Sequence, residues 1–342
     1  MPNNSTKALL LTTLTGGVLI SVSANSWLGA WMGLEINLLS FIPLMLSYNN
    51  VYTTESSMKY FIVQAMASSS LLFLMVMTVL TESMFSFEDG LYKSIIITTP
   101  LIMKMGAAPL HWWFPSVMEG INWNNCILLM TVQKIAPLML TSYQMNMNLF
   151  STTIILTSTI VGSIGGFNQT SLRKIMTYSS INHTGWMLSA MMISESLWVM
   201  YFITYSMLTT TTVLIIKPFN ISFINQVMLM NEGMKSMKFM MFTALLSLGG
   251  LPPFLGFLPK WIVIQYMILN KMSFMITVMV IMSVATLYYY LRICYTSFMI
   301  MHDEMKWNIK PFMSNKTNTY STLMSVTSMF GLILCTMVFN FN

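Results

Sequence analysis

Charge is the scarcest commodity in this chain. Only 8% of its 342 residues are Asp, Glu, Lys or Arg, against roughly 25% in an ordinary soluble domain. No polar segment is long enough for a soluble domain, which excludes a water-facing globule as the architecture. Cysteine is nearly missing as well. Cys126, Cys294 and Cys335 stand far apart in apolar surroundings, without the C-x-x-C spacing of a metal, iron–sulfur or redox-disulfide site. They read as small buried apolar side chains. Neither G-x-G-x-x-G nor G-x-x-x-x-G-K-[ST] occurs, and the nearest run, GSIGG from Gly162 to Gly166, has neither spacing. No nucleotide site, metal site or electron carrier is expected in this polypeptide. The basic residues, in excess by a net charge of +6, are scattered and form no stripe with interleaved aromatics, which argues against nucleic acid as a partner.

What remains is apolar. Hydrophobic residues make up 55% of the chain and the mean hydropathy is +0.68, so this is an all-α polytopic membrane protein. Methionine is abundant, at 39 residues, in places such as Met272, Met275, Met279 and Met282 where Ile or Leu would pack equally well. A genetic code that reads an isoleucine codon as methionine explains this better than gap filling in a helical core.

Stretches near the roughly 20 residues needed to cross a bilayer fall at 7–23, 25–47, 55–80, 92–118, 123–143, 149–168, 173–193, 195–217, 238–270, 272–298 and 320–340. That makes about eleven transmembrane helices in a single transmembrane domain over 1–342. With this odd count the N-terminus and the even connections share one side. Lys7, Lys59, Arg173, Lys174, Lys217, Lys235, Lys238, Lys306, Lys310 and Lys316 fall there, against chiefly Lys93 and Lys271 opposite. The positive-inside rule places the N-terminus on the matrix or cytoplasmic side and the C-terminus across the membrane.

Two spans are overlong and interrupted by proline: PLIMKMGAAPLHWWFP from Pro100 to Pro115, and SLGGLPPFLGFLPKW from Ser247 to Trp261. Proline removes a backbone donor, and unwound backbone at membrane depth is tolerated only beside protein or a wet cavity. Both are expected to be broken helices. Paired interruptions of this kind in two halves point to an inverted-repeat transporter.

Four charges stand alone in long uncharged stretches. Glu35 is the only charge between Lys7 and Glu55, Lys104 between Lys93 and Glu119, Lys134 between Glu119 and Arg173, and Lys260 between Lys238 and Lys271. A charge at the centre of a membrane helix costs about 2.5–3.5 kcal/mol, so four unpaired ones would cost about 10–14 kcal/mol. Such residues pair, meet water, or work. Glu35 and Lys104 are both deep in their spans, where an ion pair would either lock two helices or act as a switch. A membrane potential of 100 mV is worth about 2.3 kcal/mol per charge. Making or breaking one Glu–Lys pair in a low dielectric is enough to work against it. His183, in TYSSINHTGWM with Ser179, Ser180 and Asn182 nearby, is either a proton-transfer group or a hydrogen-bonded core histidine. His111 either satisfies carbonyls freed by the first break or conducts protons. Glu55 with Lys59, Glu195, Arg292 and the His302-Asp303-Glu304 loop have structural readings: a helical pair, a charge at a helix start, a snorkelling side chain and a loop.

The stretches SWLGAWMGLEINLLSFIPL, KYFIVQAMAS, KMGAAPLHWWFPSVMEG, GGFNQTSLRKIMTYSSINHTGWM and LSLGGLPPFLGFLPKW resemble the subunit 2 family of mitochondrial NADH:ubiquinone oxidoreductase, respiratory complex I, in an insect-like form. The resemblance spans nearly the whole chain and is weakest over 220–237 and 302–319. It implies an antiporter-like core subunit of the membrane arm in the mitochondrial inner membrane, with the N-terminus in the matrix and the C-terminus in the intermembrane space. It also implies a proton-transfer relay of Glu35, Lys104, Lys134, His183 and Lys260, in which Glu35 pairs with Lys104 and His183 lies between Lys134 and Lys260. Lys260 is the feature that favours this family over related antiporter-like subunits, which carry glutamate there. NADH, FMN, iron–sulfur clusters and ubiquinone would belong to other subunits of the complex. Its partners would be other membrane-arm subunits, antiporter-like ones included, accessory subunits, and membrane lipids such as cardiolipin. Two alternatives compete: a stand-alone cation/proton antiporter, and a scaffold subunit of the same complex that does not pump.

Overall fold

The computed structural model describes residues 4–47, 50–84, 90–228, 235–295 and 322–331. His302, Asp303, Glu304, Lys306, Lys310, Lys316 and Cys335 lie outside them, and the span expected over 320–340 is described over 322–331, where it is helical. The chain divides into two compact units, residues 1–157 and 158–342, each containing one of the expected broken helices.

In the first unit α1 (Asn4–Ser23) and α2 (Trp27–Met45) form a tight hairpin. Ser26 caps α2 by accepting the Gly29 N–H, satisfying a donor that the first turn leaves orphaned. The two helices touch backbone to backbone: a Cβ on Gly33 would lie 2.5 Å from the Ser21 nitrogen, and one on Gly17 2.9 Å from the Asn37 nitrogen. This approach fixes the depth of α2, and with it Glu35 and Asn37. Helix α3 (Val51–Met84) follows, then α4 (Gly90–Met105), α5 (Trp113–Gly120), α6 (Trp123–Met130) and α7 (Val132–Ser142). Val18, Leu34, Leu71, Ile97, Leu101, Ala136 and Leu140 form a shared apolar core between them.

Helix α8 (Leu149–Ile164) leads into the second unit, which holds α9 (Leu172–Met191), α10 (Glu195–Ile216), the short α11 (Ile224–Met228), α12 (Lys235–Gly249), α13 (Phe257–Leu269) and α14 (Ser273–Tyr295). Helix α9 packs against α10, α13 and α14, and every residue from Ser179 to Met191 is buried. Its polar residues are compatible with this because their hydroxyls bond back to their own helix: Ser179 to Met176 O at 2.7 Å, Ser180 to Thr177 O at 2.7 Å and Thr184 to Ile181 O at 2.6 Å. Back-bonding of this kind satisfies a donor without a partner helix.

The eleven expected spans correspond to α1, α2, α3, α4 with α5, α6 with α7, α8, α9, α10, α12 with α13, α14 and the helical stretch 322–331. Six described segments are long and apolar enough to cross a membrane by themselves, among them Val51–Leu80, Glu195–Phe219 and Ser273–Tyr295. The broken helices are too short in each half, and α9 too polar. Both breaks end their first half with a left-handed glycine. Gly106 has φ 72° and Gly250 φ 82°, and their N–H groups donate to Ile102 O and Leu246 O, each at 3.1 Å. Glycine adopts this conformation without the Cβ clash that any other residue meets.

A third interruption was not expected. The stretch 123–143 reads as one span, yet it is divided at Thr131, which has φ −112° and ψ −77°. Pro137 leaves the Gln133 carbonyl without its helical donor, and the division falls just before that carbonyl. The Thr131 hydroxyl donates to Ile127 O at 2.7 Å, closing the end of α6. Arg292 also differs from the sequence reading. Instead of snorkelling, its guanidinium donates to the carbonyls of Phe167 and Gln169, tying the loop after α8 to the end of α14. Glu55 and Lys59 do pair, at 2.6 Å, and Glu195 opens α10.

Candidate functional site

In the first unit the breaks bring two lysines to one place. Lys104 occupies the last turn of α4, two residues before Gly106, and Lys134 lies three residues after the Thr131 interruption in α7. Both are buried, Lys104 at 7% and Lys134 at 2% exposure. Both line a single cavity of about 20 Å³, which is room for a water molecule.

The rest of that lining is partly polar: Asn37 from α2, Tyr60 and Gln64 from α3, and Gln133 beside Lys134. Gln64 Nε2 donates to the Lys104 carbonyl at 3.3 Å, satisfying backbone that the broken helix leaves open. Gln133 Nε2 donates to Asn37 Oδ1 at 2.9 Å, and the Tyr60 hydroxyl donates to Gln133 Oε1 at 3.3 Å. The Lys134 ammonium lies 5.0 Å from the centre of the Phe114 ring, within the range of a cation–π attraction. Trp113 Nε1 bridges the break by donating to Met103 O at 3.1 Å.

Glu35 is placed less simply than the sequence suggested. Its carboxylate acts on Lys104 through space, but among the described residues no direct ion pair joins them. Leu34, Asn37 and Leu38 of α2 line the cavity, while Glu35 does not and is only partly buried. The two are thus coupled electrostatically without a direct ion pair among the described contacts. His111 takes the local role: its Nδ1 meets Pro109 O at 3.2 Å inside the break.

The second unit holds His183 and Lys260. His183 Nδ1 meets the Tyr201 hydroxyl at 2.9 Å, and the Tyr205 ring lies 5.2 Å from the imidazole. One helical turn further along α9, Trp186 presents its ring 5.8 Å from the Lys260 ammonium. Lys260 sits in the first turn of α13 and turns back across the break, its Nζ donating to Gly249 O at 2.8 Å. A cation there meets the partial negative charge at the end of α12. Gly250 makes room for it, since a Cβ at that position would lie 3.1 Å from Nζ.

Sequence reasoning found the ionisable groups and missed the neutral ones. Asn37, Tyr60, Gln64, Gln133 and Tyr201 carry no charge and so did not stand out. A signal existed: Tyr60 and Gln64, like Tyr201 and Tyr205, are four apart and share a helix face. Among the described residues no three His, Cys, Asp or Glu side chains gather as metal ligands would.

These features can be set beside known proteins. The family model for NADH:quinone oxidoreductase/Mrp antiporter transmembrane proteins matches residues 24–286. NADH-ubiquinone oxidoreductase chain 2 of Anopheles gambiae is 48% identical over 337 residues, covering 97% of each chain. In fold the chain is similar to one chain of respiratory complex I from Thermus thermophilus, with a TM-score of 0.84 at 20% identity over 97% of this chain and 78% of that one. It is also similar to a chain of the Mrp complex of Dietzia sp., with a TM-score of 0.74 at 17% identity over 84% and 60% of the two chains. An antiporter-like membrane fold with paired helix breaks, and near full-length identity of this size, have one conclusion: the chain belongs to the NADH:quinone oxidoreductase/Mrp antiporter family, among its NADH-ubiquinone oxidoreductase chain 2 members.

Proposed function

We propose that the chain is a core membrane-arm subunit of respiratory complex I in the mitochondrial inner membrane. It takes part in translocating protons as electrons pass from NADH to ubiquinone. The observation that carries this reading is the one cavity lined by both Lys104 and Lys134, with Glu35 acting on Lys104. Two buried lysines beside a water-sized polar space, one as ammonium and the other as neutral amine, can pass a proton between them, and a change at Glu35 alters the balance. The relay comprises Glu35, Lys104 and Lys134 in the first unit and His183 and Lys260 in the second. The chain forms a single transmembrane domain with the N-terminus in the matrix and the C-terminus in the intermembrane space. NADH, FMN, iron–sulfur clusters and ubiquinone belong to other subunits. Its partners are membrane-arm neighbours, antiporter-like ones included, accessory subunits, and lipids such as cardiolipin.

The test is replacement of Lys104 or Lys134 by Met in the assembled complex. Turnover coupled to proton movement should fall about 10²-fold or more, the scale of a positioned proton-transfer group. Unchanged pumping in both variants would sink the assignment. The family model, which also covers Mrp antiporters, leaves a second reading, a self-sufficient cation/proton antiporter. Under it the purified chain alone in liposomes exchanges Na⁺ or K⁺ for H⁺.

A further inference from the structure

Gln133 occupies a position that the relay leaves unused. It stands next to Lys134 on the turn after the Thr131 interruption, and its side chain reaches two other helices. One bond goes to Asn37, two residues from Glu35 on α2; the other comes from Tyr60 on α3. One turn along α3 from Tyr60, Gln64 holds the Lys104 carbonyl. All four of these polar side chains line the cavity of the two lysines.

Their chemistry makes them poor carriers of protons. Amide side chains do not titrate near neutral pH, and the Tyr60 hydroxyl commits its hydrogen to an amide oxygen that will not keep it. What they can do is hold direction. A hydrogen-bonded chain in a low dielectric fixes dipoles that a mobile water would otherwise have to reorganise.

We infer that Gln133 is a positioning residue: through Asn37 and Tyr60 it fixes Lys134 and the hydrogen-bond direction of the cavity relative to the Glu35 helix. It thereby sets the rate of proton passage between Lys104 and Lys134. In that passage an N–H bond of the Lys104 ammonium breaks as its proton joins a water oxygen. An O–H bond of that water breaks as another proton joins the Lys134 amine. The water is regenerated, one positive charge has moved, and no oxidant or reductant is involved. The inference rests on the reading of the chain as a proton carrier.

Gln133→Met keeps the length of the side chain and removes both bonds. Tyr60→Phe removes one and keeps the ring that packs against Phe41 and Trp113. Each is measured in the assembled complex in liposomes, as proton-coupled turnover in H₂O and in D₂O. Gln133→Met should slow turnover about tenfold, the size of losing two buried hydrogen bonds in the transfer geometry, and should raise the solvent isotope effect. Tyr60→Phe should raise the isotope effect with a smaller loss, and the double variant should be no slower than Gln133→Met alone. A purely structural role would lower the amount of complex without moving the isotope effect. Wild-type isotope effects in both variants, with pumping stopped by Lys134→Met, would overturn the inference and leave the proposed function standing. Pumping that survives both Lys104→Met and Lys134→Met would remove the proposed function itself.

Discussion

The two broken helices start from the same backbone device and use their lysines in opposite ways. Gly106 and Gly250 both end a half-helix in the left-handed region. Lys104 lies before its break, in the last turn of α4, and faces a polar cavity that it shares with Lys134. Lys260 lies after its break, in the first turn of α13, and donates directly to Gly249 O. The first arrangement leaves an ammonium beside space where water can exchange with it. The second ties an ammonium to the carbonyl end of a helix, with an indole on its other side. The same residue type therefore faces an open polar space at one break and clasps backbone at the other, and backbone geometry makes the difference.

The contrast can be broken most forcefully at the glycines. A Cβ on Gly256 would collide with the Ser247 carbonyl, a backbone atom that cannot swing aside, so Gly256→Ala should cost about 3 kcal/mol or more. At the first break Gly106→Ala meets only side chains, Phe114 at 3.2 Å and Trp113 at 3.3 Å from the new Cβ. Its main cost is the left-handed backbone, about 1–2 kcal/mol. Immunoblots of the membrane fraction should show the Gly256 variant lost and the Gly106 variant reduced. Equal accumulation of both would mean that the second break is as pliable as the first.

A smaller effect separates the lysines. Lys260→Met leaves Gly249 O without its donor, a loss of about 1–3 kcal/mol. Lys134→Met loses the contact with the Phe114 ring, about 0.5–2 kcal/mol, and with it the cost of holding a charge at membrane depth. Thermal melting of the purified complex should rank the Lys260 variant below the Lys134 variant, although both lose pumping. The reverse ranking would contradict the clasp.

The smallest predicted effect concerns His183. Tyr201→Phe removes the hydroxyl that meets Nδ1 while keeping the ring in place. One hydrogen bond is worth about 0.5–1.5 kcal/mol, which corresponds to coupled turnover about three- to tenfold slower. A wild-type rate with an unchanged pH profile would leave His183 as a satisfied core residue.

Several of these elements were legible in the chain itself. Lone charges in apolar stretches identified Glu35, Lys104, Lys134 and Lys260, because burying a charge in a membrane is too costly to be accidental. Proline and glycine clusters located both expected breaks, because each acts on the backbone within a turn or so of its own position. The Thr131 interruption escaped notice. Its signal, Pro137, looks like many tolerated membrane prolines, and whether a helix absorbs the missing donor as a kink or a division depends on its neighbours. The amide ring of the cavity also escaped, since uncharged polar residues are common in membrane helices and mark nothing until their partners are known.

Linear order and composition were enough to show that this chain crosses a membrane many times, where two of its helix breaks fall, and which charges stand alone in apolar stretches. Those are local or bulk properties, set by transfer energies and by the stereochemistry of single residues. Folding settled the rest: that Lys104 and Lys134 share a cavity, that Gln133 joins Asn37 and Tyr60 beside it, that Glu35 acts on Lys104 without touching it, and that Lys260 clasps Gly249. Each depends on distances between helices far apart in the chain, and those distances are set by how closely backbones pack, as at Gly17 and Gly33, rather than by the identity of the charged residue itself.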